Sequence, residues 1–351
     1  MNLDRVEKVA EAVLYEGYML YPYRPSSVKN QQRWNFGVLC PESWCDLQQG
    51  SEASTMQTEC LLKASSSSIL AVKVRFLQLI RRSIGKLRSP GEERPKGVQP
   101  DFEPVDSLEV GTRTYRPWQE AVERYHLFDH LDPCSLSTLP PLQITFPAGK
   151  EFEYLRDEQG QAFGVMVREW QTLNAAVEFG AAPIRHEIVK ITVGVRNLTA
   201  FDLGPAADRE SALLASLVSA HTVLSVEQGE FLSLLDPPAG LESAVADCRN
   251  VGTWPVLVGD HSETMLSSPI ILYDHPQIAP ESAGNLFDAT EIDEILSLRI
   301  LTLTDEEKRE VRQSDDRARE ILDRTENMPD EQFMKLHGVL RGLTRLGEDA
   351  R

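Results

Sequence analysis

Between residues 143 and 201 the sequence runs through five short segments, "LQITF", "KEFEYLR", "AFGVMVREW", "TLNAAVEF" and "IRHEIVKITVGVRNLTAF", with the turn "DEQGQ" among them. Phe163, Val165 and Val167 alternate with other residues, as do Val189, Ile191, Val193 and Val195. A period of two puts every second side chain on one face, so these segments are strands with one side on a core. Short strands in succession with tight turns make an antiparallel sheet, as a sandwich or an open barrel.

Strand patterns also precede this run. "MQTECLLKA" and "ILAVKVRFLQLI" are expected as two strands joined by "SSSS", and "QRWNFGVLCP" alternates Trp34, Phe36 and Val38. Residues 85 to 112, rich in Gly, Pro and charge, are expected as the longest loop, and "WQEAVERYHLF" after it as a helix. "DRESALLASLVSAHTVL" carries Leu213, Leu214, Leu217, Val218 and His221 at helical spacing, with Asp208 as its cap. "EFLSLLDPP", "WPVLV" and "PIILY" are further short strands, and Val6, Val9, Ala10, Val13 and Leu14 form a helical stripe at the start.

The last sixty residues change character. "TEIDEILSL" and "TDEEKREVRQSDDRAREILDRTE" both open with a capping pattern, and residues 305 to 326 are expected as one highly charged helix. In "MPDEQFMKLHGVLRGLTRL", Phe333, Leu336, Leu340 and Leu343 make a narrow apolar stripe that needs a partner. The expected fold is therefore α+β: a mainly antiparallel sheet or sandwich core over residues 1–288, and a helical C-terminal segment over 289–351.

With 36 basic residues against 54 acidic, the chain carries a net charge of −18 and is repelled by nucleic acid and by anionic membrane surfaces. Its one basic strip, residues 71 to 97, reads as a solvated strand face. No apolar run reaches the roughly 18 residues of a membrane helix. Asp4 and Glu7 do not suit a secretory leader, and five scattered cysteines suit reduced thiols, so a cytoplasmic protein is expected.

Sequence motifs for chemistry are sparse. Nucleotide-binding loops and the GxSxG elbow are missing from the sequence, and no cofactor is expected. In "YHLFDHLDPC", His126 and His130 would share a helix face beside Asp132, an acceptable but incomplete metal-ligand set. Cys40 and Cys45 in "CPESWC" have no recurring ligand spacing, and His221 reads as a core histidine. Asp260, His261 and Ser262 are consecutive, which suits a polar hairpin better than a triad. The loop holding Asp274, His275, Glu281 and Asp288 offers carboxylates for acid and base work, but turn and helix-cap roles account for most of them.

"AVLYEGYMLYPYRPSSVKNQQRWNFGVLCP", "FLSLLDPP", "NVGTWPVLVG" and "SSPIILYDHPQIAPESAGNLFDATEIDEILSLRILTLTDEEK" together resemble a family of bacterial proteins of uncharacterised activity. The resemblance spans most of the chain and is most specific in the last block. Genes of that family often lie in clusters with those of nickel-iron hydrogenases and their maturation factors. What this implies is a non-catalytic accessory or assembly protein that binds a hydrogenase subunit or maturation partner. The alternative from another class is a metal-dependent hydrolase using His126 and His130, or the Asp274 and His275 region.

Overall fold

In the computed structural model the described residues are 35–276 apart from 96 and 206, with 9, 10 and 14 before them and scattered positions between 303 and 327. The chain divides into two units, one of Met1–Met19 and Gln32–Gln277, the other of Leu20–Gln31 and Ile278–Arg351. In the first unit a short helix α1 (Glu42–Leu47) leads into β1 (Thr55–Leu87), β2 (Phe102–Val105), β3 (Leu108–Val110), β4 (Arg113–Tyr115) and β5 (Trp118–Leu131). The meander follows as β6 (Leu142–Phe146), β7 (Gly149–Arg156), β8 (Ala162–Trp170), β9 (Leu173–Arg185) and β10 (Ile188–Asn197). Then come α2 (Arg209–Leu214), β11 (Val218–Phe231), α3 (Glu242–Ala246), β12 (Trp254–Leu257) and β13 (Thr264–Ser268).

Among the described residues the named strands all pair antiparallel, and the largest sheet runs β12-β13-β11-β1-β10-β9-β6 without closing into a barrel. Its spine is β1, 33 residues long. Leu62 lies between Val189 of β10 and Phe231 of β11, Leu70 between Leu131 of β5 and Val226 of β11, and Ile84 between Val105 of β2 and Met166 of β8. One edge of the spine therefore takes β10, β5 and β2 in turn, and the other takes β11 and β8.

The spine bends where the four serines fall. Between Ala64 and Ile69 its register with β11 shifts, as in a large β-bulge. Met56, Cys60 and Leu62 before the bulge and Leu70, Val72, Val74 and Phe76 after it belong to one buried cluster. Phe76 meets Phe146 of β6 edge-on at 5.1 Å, and Phe128 of β5 meets Phe179 of β9 at 5.2 Å. The sheet thus folds back on itself over Ser65–Ser68 and closes a core between its own two halves.

β11 accommodates the corner with an irregular residue. Val226 and Phe231 both face the core although they are five positions apart, which strict alternation forbids. Gln228, at φ 55°, absorbs the change of face. Next to it a Cβ on Gly229 would come within 2.9 Å of the Lys63 carbonyl, so only glycine lets the strands approach there. Ser68 Oγ ties the two bulges together: it donates to the Gln228 carbonyl at 2.5 Å and accepts from Ser65 N at 2.9 Å.

Several expectations are corrected. "MQTECLLKA" and "ILAVKVRFLQLI" are one bent strand, with the serines as its corner. "WQEAVERYHLF" is strand β5, because twelve paired positions along β1 override a modest helix propensity. Only Arg209–Leu214 is helical in 208–224; Asp208 caps it with Ser211, and β11 follows. Val218 to Val226 of β11 are buried on both faces, polar Ser219, His221, Thr222 and Ser225 included, a pattern that periodicity cannot tell from a buried helix. β13 ends at Ser268, before "PIILY". The long loop of 85 to 112 contains β2 and β3. Of the N-terminal stripe, Val9, Ala10 and Leu14 are helical and buried, and the first two pack with Val223, Val256 and Leu266, while Val6 and Val13 lie outside the described residues.

In the second unit Asp305, Lys308, Arg309, Arg312, Arg319, Leu322, Asp323 and Glu326 are helical. Lys308 Nζ stands 2.9 Å from Glu326, and Arg312 Nε 2.8 Å from Asp323. Residues 18 apart on one straight helix would be separated by about 27 Å. The single helix expected over 305–326 is therefore replaced by helical residues that run beside each other. Phe333, Leu336, Leu340 and Leu343 lie outside the described residues.

If the serine corner holds the fold-back, Ser68→Ala, which leaves the Gln228 carbonyl and Ser65 N–H without their partner, should cost about 1–3 kcal/mol. Urea denaturation measures this, and Ser66→Ala, at an exposed position of the same bulge, should be neutral.

Candidate functional site

The fold-back leaves a polar groove of about 680 Å³ at the corner. Four turns build it. β1 contributes Lys63 and Ser65, the β9–β10 turn Glu187, the β11 bulge Gln228 and Glu230, and the β12–β13 hairpin Asp260, His261, Ser262 and Glu263. Backbone hydrogen bonds hold the rim: Ala64 N donates to the Glu187 carbonyl at 2.8 Å, Phe231 N to that of Ser262 at 2.7 Å, and Val226 N to that of Glu263 at 2.9 Å. The carboxylates of Glu187, Glu230, Asp260 and Glu263 outnumber Lys63 and His261, so the groove has a negative field that favours cationic or hydrogen-bonding groups. Asp260, His261 and Ser262 sit on a polar hairpin, as their sequence implied.

The structure gives the sequence-selected acids structural roles. Asp274 accepts from Leu257 N at 2.7 Å and from Ser233 Oγ, and His275 N donates to the Leu257 carbonyl at 2.7 Å. His275 Nδ1 also bonds the Gly259 carbonyl at 2.7 Å. Together they clamp the outer edge of β12. Glu281 and Asp288 lie outside the described residues.

His126 and His130 lie on strand β5, not on a helix. Four strand positions span about 13 Å, against the 5–6 Å of a helix face, and His130 adopts φ 55° at the end of the strand. His126 stacks its ring against Phe128 at 4.6 Å. Asp132 accepts from Cys134 N at 2.9 Å and closes the turn after β5. Among the described residues no three His, Cys, Asp or Glu side chains stand together as a metal would require. Cys40 and Cys45 are buried free thiols, and burial pushes Cys40 up to about 12, far from a reactive thiolate.

Two charged groups prove to be buried, Glu59 and Arg75. Glu59, 8% exposed, receives Arg249 N at 2.7 Å, Lys190 Nζ at 3.0 Å and Thr192 Oγ1 at 3.2 Å. Burial alone would raise its pKa, but the Arg249 amide and Lys190 outweigh that and hold it below the usual carboxylate range. Arg75, 2% exposed, pairs with Glu123 at 2.8 Å. Both stand on β1, Glu59 among Gln57, Thr58 and Cys60 and Arg75 in alternation with Lys73, so nothing local marked either as buried. The basic strip is largely paired: Arg82 meets Glu120 at 2.9 Å, Arg88 meets Asp101 at 3.5 Å, and Lys73 lies over the Tyr125 ring.

His221 is a core histidine, as expected, though on β11. It is fully buried, its Nδ1 bonds the Ser219 carbonyl at 2.9 Å, and desolvation followed by the charge of Arg75 lowers its pKa to about 3. Among the described residues no helix is long and apolar enough to cross a membrane. No family model and no curated protein matches the chain.

The His221 ring stays neutral in the folded state down to about pH 3, whereas the unfolded chain takes up a proton below about 6.5. Stability linked to this group is therefore complete above pH 6.5 and lost progressively as pH falls toward 3. Between pH 7 and pH 5 the loss should be about 2 kcal/mol. Denaturation curves at both pH values should show that difference shrinking in His221→Gln.

Proposed function

We propose that the protein is a non-catalytic accessory or assembly factor of the cytoplasm that binds a metalloenzyme partner, a hydrogenase subunit or one of its maturation factors. The observation that carries the binding half of this reading is apolar surface beyond β13. Tyr273 is 86% exposed and Ile271 72%, while Ile270 and Leu272 pack inward against Val256 and Leu266. Trp254, 43% exposed, stands opposite Ser268 just before them. Scattered surface apolar residues are ordinary, but an anchored segment that presents Ile and Tyr outward beside a Trp has the composition of an interface core.

Further support comes from the acids and histidines of the hydrolase alternative. Asp274, His275 and Asp132 are engaged in backbone hydrogen bonds that shape turns, which gives them a reason to be present without catalysis. The identity of the partner rests on the family resemblance, and the apolar stripe of Phe333, Leu336, Leu340 and Leu343 is a second contact in this reading.

The test is recovery of purified hydrogenase subunits and maturation proteins by the immobilised chain. Ile271→Asp with Tyr273→Asp should reduce recovery roughly tenfold or more, about 1.4 kcal/mol or more of binding, with unchanged melting. Equal recovery by wild type and variant would overturn the proposed surface. Stoichiometric metal in the purified protein, lost in His126→Ala with His130→Ala, would favour the hydrolase reading instead.

A further inference from the structure

The segment that follows β13 is fastened to the turn that builds one wall of the corner groove. His275 N donates to the Leu257 carbonyl at 2.7 Å, and the His275 ring bonds the Gly259 carbonyl at 2.7 Å through Nδ1. Nδ1 is the donor there, since a carbonyl only accepts. The next positions of that turn are Asp260, His261 and Glu263, all exposed and all on the groove. Tyr273 precedes His275 by two residues, so its backbone lies within about 7 Å of that joint. The exposed Ile271 and Tyr273 and the acidic groove are therefore neighbours on one surface of the first unit.

The two neighbours differ in what they offer. Ile271 and Tyr273 present apolar area, with Ile270 and Leu272 anchoring the segment from below. The groove presents carboxylates that the fold does not use: among the described residues no ion pair engages Glu187, Glu230 or Glu263, all of them exposed. By contrast Glu59, Glu120 and Glu123 of the same sheet are each held by a Lys or Arg. Lys63, opposite Glu230 in the ladder, is the one lysine on the groove. At about 0.15 M salt, charges beyond about 8 Å are screened, so a bound group feels these nearest acids more than the net charge of the chain.

We infer that this surface takes a cationic amphipathic segment of a partner protein. Its aliphatic or aromatic side chain packs on Ile271 and Tyr273, and its Lys or Arg side chains meet Glu263, Glu230 and Glu187. The inference rests on the reading of Ile271 and Tyr273 as a protein-binding surface and adds the chemistry of what binds there. The apolar contact excludes water and supplies affinity, while the carboxylates set orientation and select the partner by charge. Nucleic acid and anionic bilayers carry the wrong charge for the groove, and a second copy of this chain, at −18, approaches with like charge.

Selection of random peptides displayed on phage against the immobilised full chain should enrich sequences that combine Lys or Arg with large apolar residues. A synthetic peptide of the enriched sequence, titrated calorimetrically, should bind about tenfold more weakly to the triple variant Glu187→Gln, Glu230→Gln and Glu263→Gln. Ile271→Ser with Tyr273→Ser should weaken it about tenfold or more. Raising salt from about 0.05 M to about 0.5 M should weaken binding to the wild type more than to the triple variant. All five positions are exposed, so both variants should melt like the wild type. No enrichment, enrichment of acidic or uncharged peptides, or affinity indifferent to either variant would overturn the inference. Uncharged peptides that still need Ile271 and Tyr273 would overturn it alone and spare the binding surface, whereas failure to recover any hydrogenase subunit or maturation factor would overturn only the partner's identity.

Discussion

Everything in the first unit hangs on one strand making a corner. β1 takes five neighbours along its two edges, and its two halves supply opposite walls of a single apolar cluster. The corner works because four small polar residues occupy it. Their hydroxyls satisfy backbone groups that a bulge removes from the ladder, Ser68 most directly through the Gln228 carbonyl. Larger apolar residues would expose themselves there, and an unbroken ladder would keep the halves apart. The cost is kinetic: β1 pairs with β10 and β11, more than a hundred residues downstream, and such non-local pairing slows folding.

The polar residues inside this scaffold mostly tie distant elements together. Asn197 Nδ2 donates to the carbonyls of Leu39 at 2.8 Å and Ala215 at 2.9 Å. Thr58 and Thr253 share Ser267 Oγ, each at 2.7 Å. Glu59 joins β10 to the loop before β12, and Asp274 with His275 joins the end of the sheet unit to its edge strand. Asp274 and His275, which look like chemistry in the sequence, make backbone ties in the fold. The polar groove at the corner and the apolar segment after β13 lie at the margins of this network.

In the meander β6 and β10 were legible because one face is wetter than the other and alternation shows, whereas β8, buried on both faces at Gly164 to Val167, was marked by its β-branched residues and the turn before it. β11 was not legible, because burial of both faces erases alternation. β5 was misread because Gln119, Glu120 and Glu123 favour a helix locally, while nothing local reveals that β1 runs beside them. In the fold Gln119 pairs with Arg81 along the ladder, and Glu120 and Glu123 meet Arg82 and Arg75. The continuity of β1 escaped because a serine run signals a break locally, while the strand continues through it. Asp260 and His261 were recognised as a hairpin, but the groove they line is assembled from four turns far apart in sequence, and no spacing rule brings those together.

The account's central claim is that β1 is one cooperative strand bent at Ser65–Ser68, with both halves locked into the same core. Native-state hydrogen exchange measures it most directly. The amides of Cys60 to Leu62 and of Val72 to Phe76 should share one opening free energy, equal to that of global unfolding. Exchange of either half through a separate, lower-energy opening would contradict it, because the two halves would then belong to independent units.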